Sequence, residues 1–162
     1  RRVPTAGRLA VVSIASVLAV LLLWQASGSL GWNLPASIGI ALAERDSGRN
    51  RPVVAIIGDG SMQYSVQGLW TAAQLELPIL FVIPKNGVYA ILKSFAALEK
   101  TTGVPGLDLP GLDLVSLARG YGCEALRIEN ADGVRKACAQ AFKRAGPTLL
   151  EVPILPTIPS LL

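Results

Sequence analysis

The 162-residue sequence contains no histidine. That absence removes the commonest general base near neutral pH and the usual base partner of serine and cysteine nucleophiles. A Ser-His-Asp triad is excluded, so proton-transfer chemistry must draw on a cofactor, on carboxylates or tyrosines, or on another polypeptide. Cysteine is scarce as well: Cys123 and Cys138 are the only two, with no CxxC spacing and no histidine to complete a metal site. They read as buried thiols in a reducing, cytoplasmic setting. Charged residues make up 16% against 51% hydrophobic, the opposite of the disorder signature. Arg1, Arg2 and Arg8 supply three of the four net positive charges, and from Gly28 onward 12 basic residues face 11 acidic ones. No basic run is interleaved with aromatics, so a nucleic-acid surface is not expected. Arg127, Arg135, Lys136, Lys143 and Arg144 read as a solvated face.

Long hydrophobic runs are also lacking, with one exception. Leu9 to Trp24 is apolar apart from two serines, but its 16 residues fall short of the roughly 20 needed to span a bilayer. The expected reading is a strand-containing remnant of a longer chain, with a signal or membrane segment as the alternative. Residues 1–27 are therefore set apart from a domain over residues 28–153, followed by a tail over 154–162. A body of this length has room for one substantial core.

Within that body, hydrophobic runs alternate with helical periodicity. Asn33 is a candidate N-cap for a helix from Pro35 to Arg45. Val53 to Ile57 is a β-branched run ending at glycine, which reads as a parallel strand buried on both faces. A helix is expected from Met62 to Leu75, a buried strand from Pro78 to Ile83, a turn at Asn86-Gly87 and a helix from Tyr89 to Leu98. Gly103 to Asp113 reads as a loop. Beyond it come helices at 114–119 and 131–145 and strands at 125–128 and 148–152. Such alternation predicts a doubly wound, mostly parallel α/β sheet with helices on both faces.

Gly58-Asp59-Gly60-Ser61 stands where a strand ends and a helix begins, the sheet edge at which ligands bind in this architecture. The glycines permit close backbone approach, and the Gly60 and Ser61 amides are expected to face an anion such as phosphate. A carboxylate beside a diphosphate repels it unless a cation lies between, so Asp59 implies a hard divalent ion such as Mg²⁺. The next strand ends at Asn86, whose amide oxygen is a candidate second ligand, with the Val88 carbonyl as a third. Tyr64, about one turn past the helix start, is placed to reach a phosphate oxygen.

This GDGS, followed by Asn86 after 24 further residues, resembles the motif of thiamine diphosphate enzymes. The segments GSLGWNLPASIGIALAE, VVAIIGDGSMQYSVQGLWTAAQLELPILFVI, KNGVYAILKSF and VPGLDLPGLDLVSLARGYGCEAL are similar to the benzoylformate decarboxylase branch of that family, over Gly28 to Pro153. The resemblance implies a thiamine diphosphate-binding fold and Mg²⁺ (or Ca²⁺) held by Asp59, Asn86 and the Val88 oxygen. It also implies cofactor contacts at Gly28, Ser29, Leu30, Gly58, Gly60, Ser61, Tyr64, Tyr89, Ala90, Ile91 and Leu92, with Leu92 and Phe95 bordering a substrate pocket. The implied activity is decarboxylation of a 2-oxo acid, with benzoylformate giving benzaldehyde and CO₂. The cofactor carries that chemistry.

Departures from the family pattern stand at Ser29 and Ala90, where glycines are usual, and at Lys85, where the first of two asparagines is usual. No catalytic residue is expected in this chain. The family's acid-base groups belong to a pyrimidine-binding domain, on the missing part of the chain or a neighbouring subunit, and the complete protein is implied to be a homo-oligomer. Alternatives are a non-catalytic metal-diphosphate-binding or assembly domain, part of an acetolactate synthase-like enzyme, or a module anchored through residues 9–24. Bilayer attachment is not the expected outcome.

Overall fold

The computed structural model describes residues 30–101 and 103–158. The apolar segment Leu9 to Trp24, together with Gly28 and Ser29, lies outside the described residues. The chain divides between Leu30 and Gly31, and the fold is that of the second unit.

Helix α1 (Asn33–Asp46) leads into strand β1 (Val53–Ile56) and the single-turn helix α2 (Asp59–Met62). Then follow α3 (Gly68–Gln74), β2 (Ile79–Lys85), α4 (Ala90–Leu98), α5 (Leu114–Gly120), β3 (Glu124–Arg127), α6 (Ala131–Ala141) and β4 (Thr148–Pro153). The four strands form one sheet in the order β1-β2-β4-β3, and every pairing is parallel. All strand carboxyl ends therefore share one edge, and the loops after β1 and β2 emerge side by side there.

Helices cover both faces. On one face, Leu34, Ile38, Leu69, Ala72, Leu114 and Ala118 from α1, α3 and α5 pack on Ala55, Phe81, Ile83, Ala125 and Leu149. On the other, Ala137 and Ala141 of α6 pack on Leu80 and Leu150. Phe81 at the centre of the sheet is wholly buried, a side chain whose removal from water contributes about 1.5–3 kcal/mol. Asp113 caps α5 by accepting from the Ser116 amide at 2.9 Å, and Asn130 caps α6 by accepting from Gly133 at 2.7 Å.

Three local expectations are corrected. The strand from Val53 is buried on one face only: Val54 and Ile56 are 48% and 65% exposed. They lie on the α6 side of an edge strand, outside the cluster that α6 buries. The helix expected from Met62 to Leu75 is two helices. Residues 63–67 turn through tighter bonds reaching three residues back, while the Ser65 hydroxyl donates to Gly31 O at 2.7 Å. Gly68 sits where a Cβ would come within 2.3 Å of Leu34, so close packing on α1 sets where α3 starts. Finally, Asn33 is the first residue of α1 rather than its cap. The cap position is Trp32 with no side-chain bond, and the Asn33 amide reaches instead toward Ile56 O at 3.5 Å.

Candidate functional site

At the carboxyl edge the chain leaves β1 through Gly58 and enters α2 at Asp59, which is 3% exposed. Its carboxylate accepts two backbone amides, Gly60 N at 2.9 Å and Gly87 N at 2.7 Å. The second bond links the GDGS turn to the Asn-Gly turn across 28 positions, because β1 and β2 are adjacent parallel strands. The Asn86 side-chain oxygen accepts from Val88 N at 3.1 Å, and Gly87 takes φ +71°, a conformation that favours glycine. Asp59, Asn86 and the Val88 backbone thus lie in two turns that touch.

The loop over 103–113 braces this turn from outside. Tyr89 N donates to Leu107 O at 2.9 Å and Leu109 N to Gly87 O at 2.8 Å, flanking an antiparallel bridge between Val88 and Asp108. Sequence reasoning treated this stretch as a plain loop. The two β-type bonds are a tertiary pairing of single residues, too short to leave a periodic signal.

A second cluster gathers Gly31, Gly60, Ser61, Tyr64 and Tyr89. Gly31 N donates to Ser61 Oγ at 2.9 Å, and a Cβ at Gly31 would lie 2.4 Å from that of Tyr64. The Tyr89 ring lies on Gly60, where a Cβ would come within 2.3 Å of it, and its hydroxyl donates to Gly60 O at 3.3 Å. Burial pushes the Tyr89 phenol above its usual pKa, and the neighbouring Tyr64 phenol adds to the shift. Gly31 and Ser65, joined by the bond from the Ser65 hydroxyl to Gly31 O, are not singled out from sequence. The Gly31 φ of +84° is a property of the fold that residue type alone does not announce.

One expectation at the site is corrected: the Gly60 amide donates to Asp59 rather than facing outward. Helix α2 has four residues, too few to act as an anion-binding terminus. The departure at Ala90 is harmless to the backbone, since Ala90 opens α4 without a positive φ. Tyr64, Ile91, Leu92 and Phe95 are 60%, 47%, 41% and 50% exposed, so these side chains beside the turns face outward, and Leu30, in the first unit, is 41% exposed. Gly28 and Ser29 lie outside the described residues.

These residues fit a divalent cation. Asp59 is a buried carboxylate whose partners are neutral amides, and among the described residues no lysine or arginine pairs with it. Each of its oxygens keeps acceptor capacity beyond one N–H. The Val88 carbonyl accepts no hydrogen bond among the described residues. Carboxylate, amide and carbonyl oxygens make a hard donor set suited to Mg²⁺ or Ca²⁺. Gly58 has an ordinary extended backbone and open space where its Cβ would be, so nothing among the described residues demands a glycine there. Close approach of a ligand would.

Comparison with known proteins agrees with this geometry. The chain is 44% identical over 130 residues to the benzoylformate decarboxylase of Pseudomonas aeruginosa, covering 80% of this chain and 24% of that protein. It is 35% identical over 142 residues to the putative acetolactate synthase large subunit IlvX of Mycobacterium tuberculosis, covering 83% of this chain and 26% of that one. The crystal structure of benzoylformate decarboxylase from Polynucleobacter necessarius superposes with a TM-score of 0.80 at 49% identity, over 84% of this chain and 26% of that one. The chain thus spans about a quarter of the length of these relatives. The family model of the thiamine pyrophosphate enzyme C-terminal TPP-binding domain matches residues 9–152, and the chain belongs to that family.

Proposed function

We propose that the chain is the diphosphate-binding part of a thiamine diphosphate- and Mg²⁺-dependent decarboxylase that converts benzoylformate to benzaldehyde and CO₂. The observation that carries this reading is the bond from Gly87 N to Asp59. It joins the two halves of the motif at the ends of neighbouring strands, around a buried carboxylate that has no cationic partner among the described residues. Asp59, Asn86 and the Val88 oxygen would hold the metal, or Ca²⁺ in its place. Gly28, Ser29, Leu30, Gly58, Gly60, Ser61, Tyr64, Tyr89, Ala90, Ile91 and Leu92 would border the cofactor. Leu92 and Phe95 would offer an apolar wall to the aryl group of the substrate.

When bound, thiamine diphosphate supplies the electron sink for the pair released with CO₂. This chain's contribution is anchorage and orientation. Its buried Asp59 brings the negative charge that recruits the metal, and the Gly58 backbone leaves room beside it. Without histidine, it lacks the usual proton carrier. Acid-base groups would come from a pyrimidine-binding domain on the rest of the protein or on a neighbouring subunit of a homo-oligomer. An acetolactate synthase-like activity is the second reading, motivated by the 35% identity to a putative large subunit of that enzyme. The higher identities of 44% and 49% to benzoylformate decarboxylases favour the first.

Titration calorimetry of thiamine diphosphate, with Mg²⁺ and with chelator, tests the assignment. Metal-dependent binding should be abolished in Asp59→Ala and nearly so in Asn86→Ala. Unchanged metal-dependent affinity in both variants would remove the metal assignment.

A further inference from the structure

Next to the turn that carries Asn86, a charged cluster lies under the sheet edge, and it falls where this sequence departs from its family. Lys85, the last residue of β2, sends its ammonium across the edge to donate to Leu112 O and to Glu151 Oε2, the latter at 3.3 Å. Glu151, on β4, is 2% exposed and also receives Arg127 of β3, with Nη1 at 3.4 Å from Oε1. Backbone bonds enclose the same place: Ile154 N donates to Lys85 O at 2.9 Å, and Ile83 is in register with Glu151. These groups line a cavity of about 420 Å³ with Asp113 and Arg119.

Two features make this more than a buried ion pair. Leu112 ends the loop whose Leu107 and Leu109 brace Tyr89 and Gly87, so the Lys85 side chain fastens the far end of the brace that holds the Asn86–Val88 turn. Lys85 also places a positive charge one residue from a candidate metal ligand, where it would repel a divalent cation unless neutralised. Glu151, which Lys85 shares with Arg127, offsets that charge together with Asp113 on the same cavity, and Glu151 draws the ammonium toward β4.

We infer that Lys85 and Glu151 form a strut that positions the Asn86–Val88 turn for metal binding, with Glu151 as the counter-ion that keeps the Lys85 charge off the metal. They are positioning residues, acting through the turn rather than by touching cofactor or substrate. The inference rests on the metal-diphosphate reading above. Partners one shell outside a metal's ligands commonly change affinity 10- to 100-fold when removed.

The test has two arms on the full chain. In the first, hydrogen exchange is followed in the metal-free protein at the Gly87, Val88 and Leu109 amides. Lys85→Met and Glu151→Gln should speed exchange there about tenfold or more while leaving the amides of α1 unchanged. In the second, Mg²⁺-dependent thiamine diphosphate affinity is measured. Both variants should lose about tenfold or more, Glu151→Gln more than Lys85→Met because it removes the buried carboxylate that draws the ammonium away from the turn. The double variant should lose less than the product of the two. Lys85→Arg, which keeps the charge and the donors, should keep most of the affinity, and Glu151→Gln carries both arms if Lys85→Met does not fold.

Unchanged exchange at the turn overturns the strut. So does faster exchange with unchanged affinity, provided that Asp59→Ala abolishes binding. If Asp59→Ala binds like the parent chain, the metal assignment falls, and with it the claim that the strut serves metal binding.

Discussion

At the scale of single residues, Gly60 and Cys123 make different points about burial. Gly60 is needed because the Tyr89 ring occupies the space of its Cβ. Gly60→Ala should destabilise the chain by about 1–3 kcal/mol, the usual cost of overpacking. Tyr89→Ala added to it should restore part of that loss, since the clash is with the ring. A double-mutant cycle by urea unfolding checks this, and additive effects would contradict the contact. Cys123 is buried against the Leu69 carbonyl, and burial pushes its thiol up to about 11. At pH 8, iodoacetamide should modify the half-buried Cys138 well before Cys123, read by mass spectrometry of the digested protein. Preferential alkylation of Cys123 would show that its thiol is not buried against Leu69 of α3. The sequence reading of both cysteines as buried thiols holds for Cys123 and only half holds for Cys138.

At the scale of elements, the end of α1 is fastened by charge. Glu44, 6% exposed, accepts from Arg51 at 2.6 Å and 2.9 Å and from Arg49 at 3.1 Å. The Arg51 guanidinium, then that of Arg49, holds its carboxyl down at about 2 instead of 4.5. The folded-state pKa is depressed, so the stabilisation is present above about 4.5 and is lost as pH falls toward about 2. The urea midpoint should therefore fall between pH 5 and about 2.5, and Glu44→Gln should flatten that part of the profile. An identical acid profile in the variant would assign the loss to other carboxylates. The helices before and after β1 also mark how far periodicity reaches. α1 was readable from its apolar spacing within about two residues, as were β2 and β4. The break between α2 and α3 was not, because Gly31 and Leu34, more than 25 positions away, set it through Ser65 and Gly68.

At the scale of the whole molecule, Trp32, Tyr64, Trp70, Ile91, Leu92, Phe95 and Leu98 are large side chains left exposed. The chain alone, saturated with Mg²⁺ and thiamine diphosphate, is expected to release no benzaldehyde from benzoylformate. It should gain that activity when a pyrimidine-binding domain from a similar enzyme is fused or added. General acid-base groups typically contribute 10²- to 10⁴-fold each, and those factors are lost together when their domain is absent. The assay compares chain alone, partner alone and both. Turnover by the chain alone at the rate of a complete decarboxylase would mean that Glu99, Glu124 or Tyr89 must be reconsidered as a proton carrier. No helix among the described residues is long and apolar enough to cross a membrane. Flotation with liposomes, before and after deletion of residues 1–26, tests the expectation that the apolar segment is no anchor.

Sequence alone determined the parallel α/β class, through local periodicity, and the family, through the resemblance of its motifs; it also singled out Asp59, Asn86 and Val88 as candidates, because they lie within one strand-helix-strand passage. The absence of histidine likewise needed no fold to exclude a histidine of this chain as a proton carrier. Tertiary structure decided which face of β1 is covered, where the helix after GDGS breaks, and that the Gly60 amide serves Asp59 rather than an outside anion. It also brought Lys85, Glu151, Arg127 and Leu112 together beneath the Asn86–Val88 turn. Strand order decided the last of these: β4 inserts between β2 and β3, so residues 66 positions apart share one sheet edge. Chain spacing carries no record of which strand will be the neighbour, and only the assembled sheet brings such residues into contact.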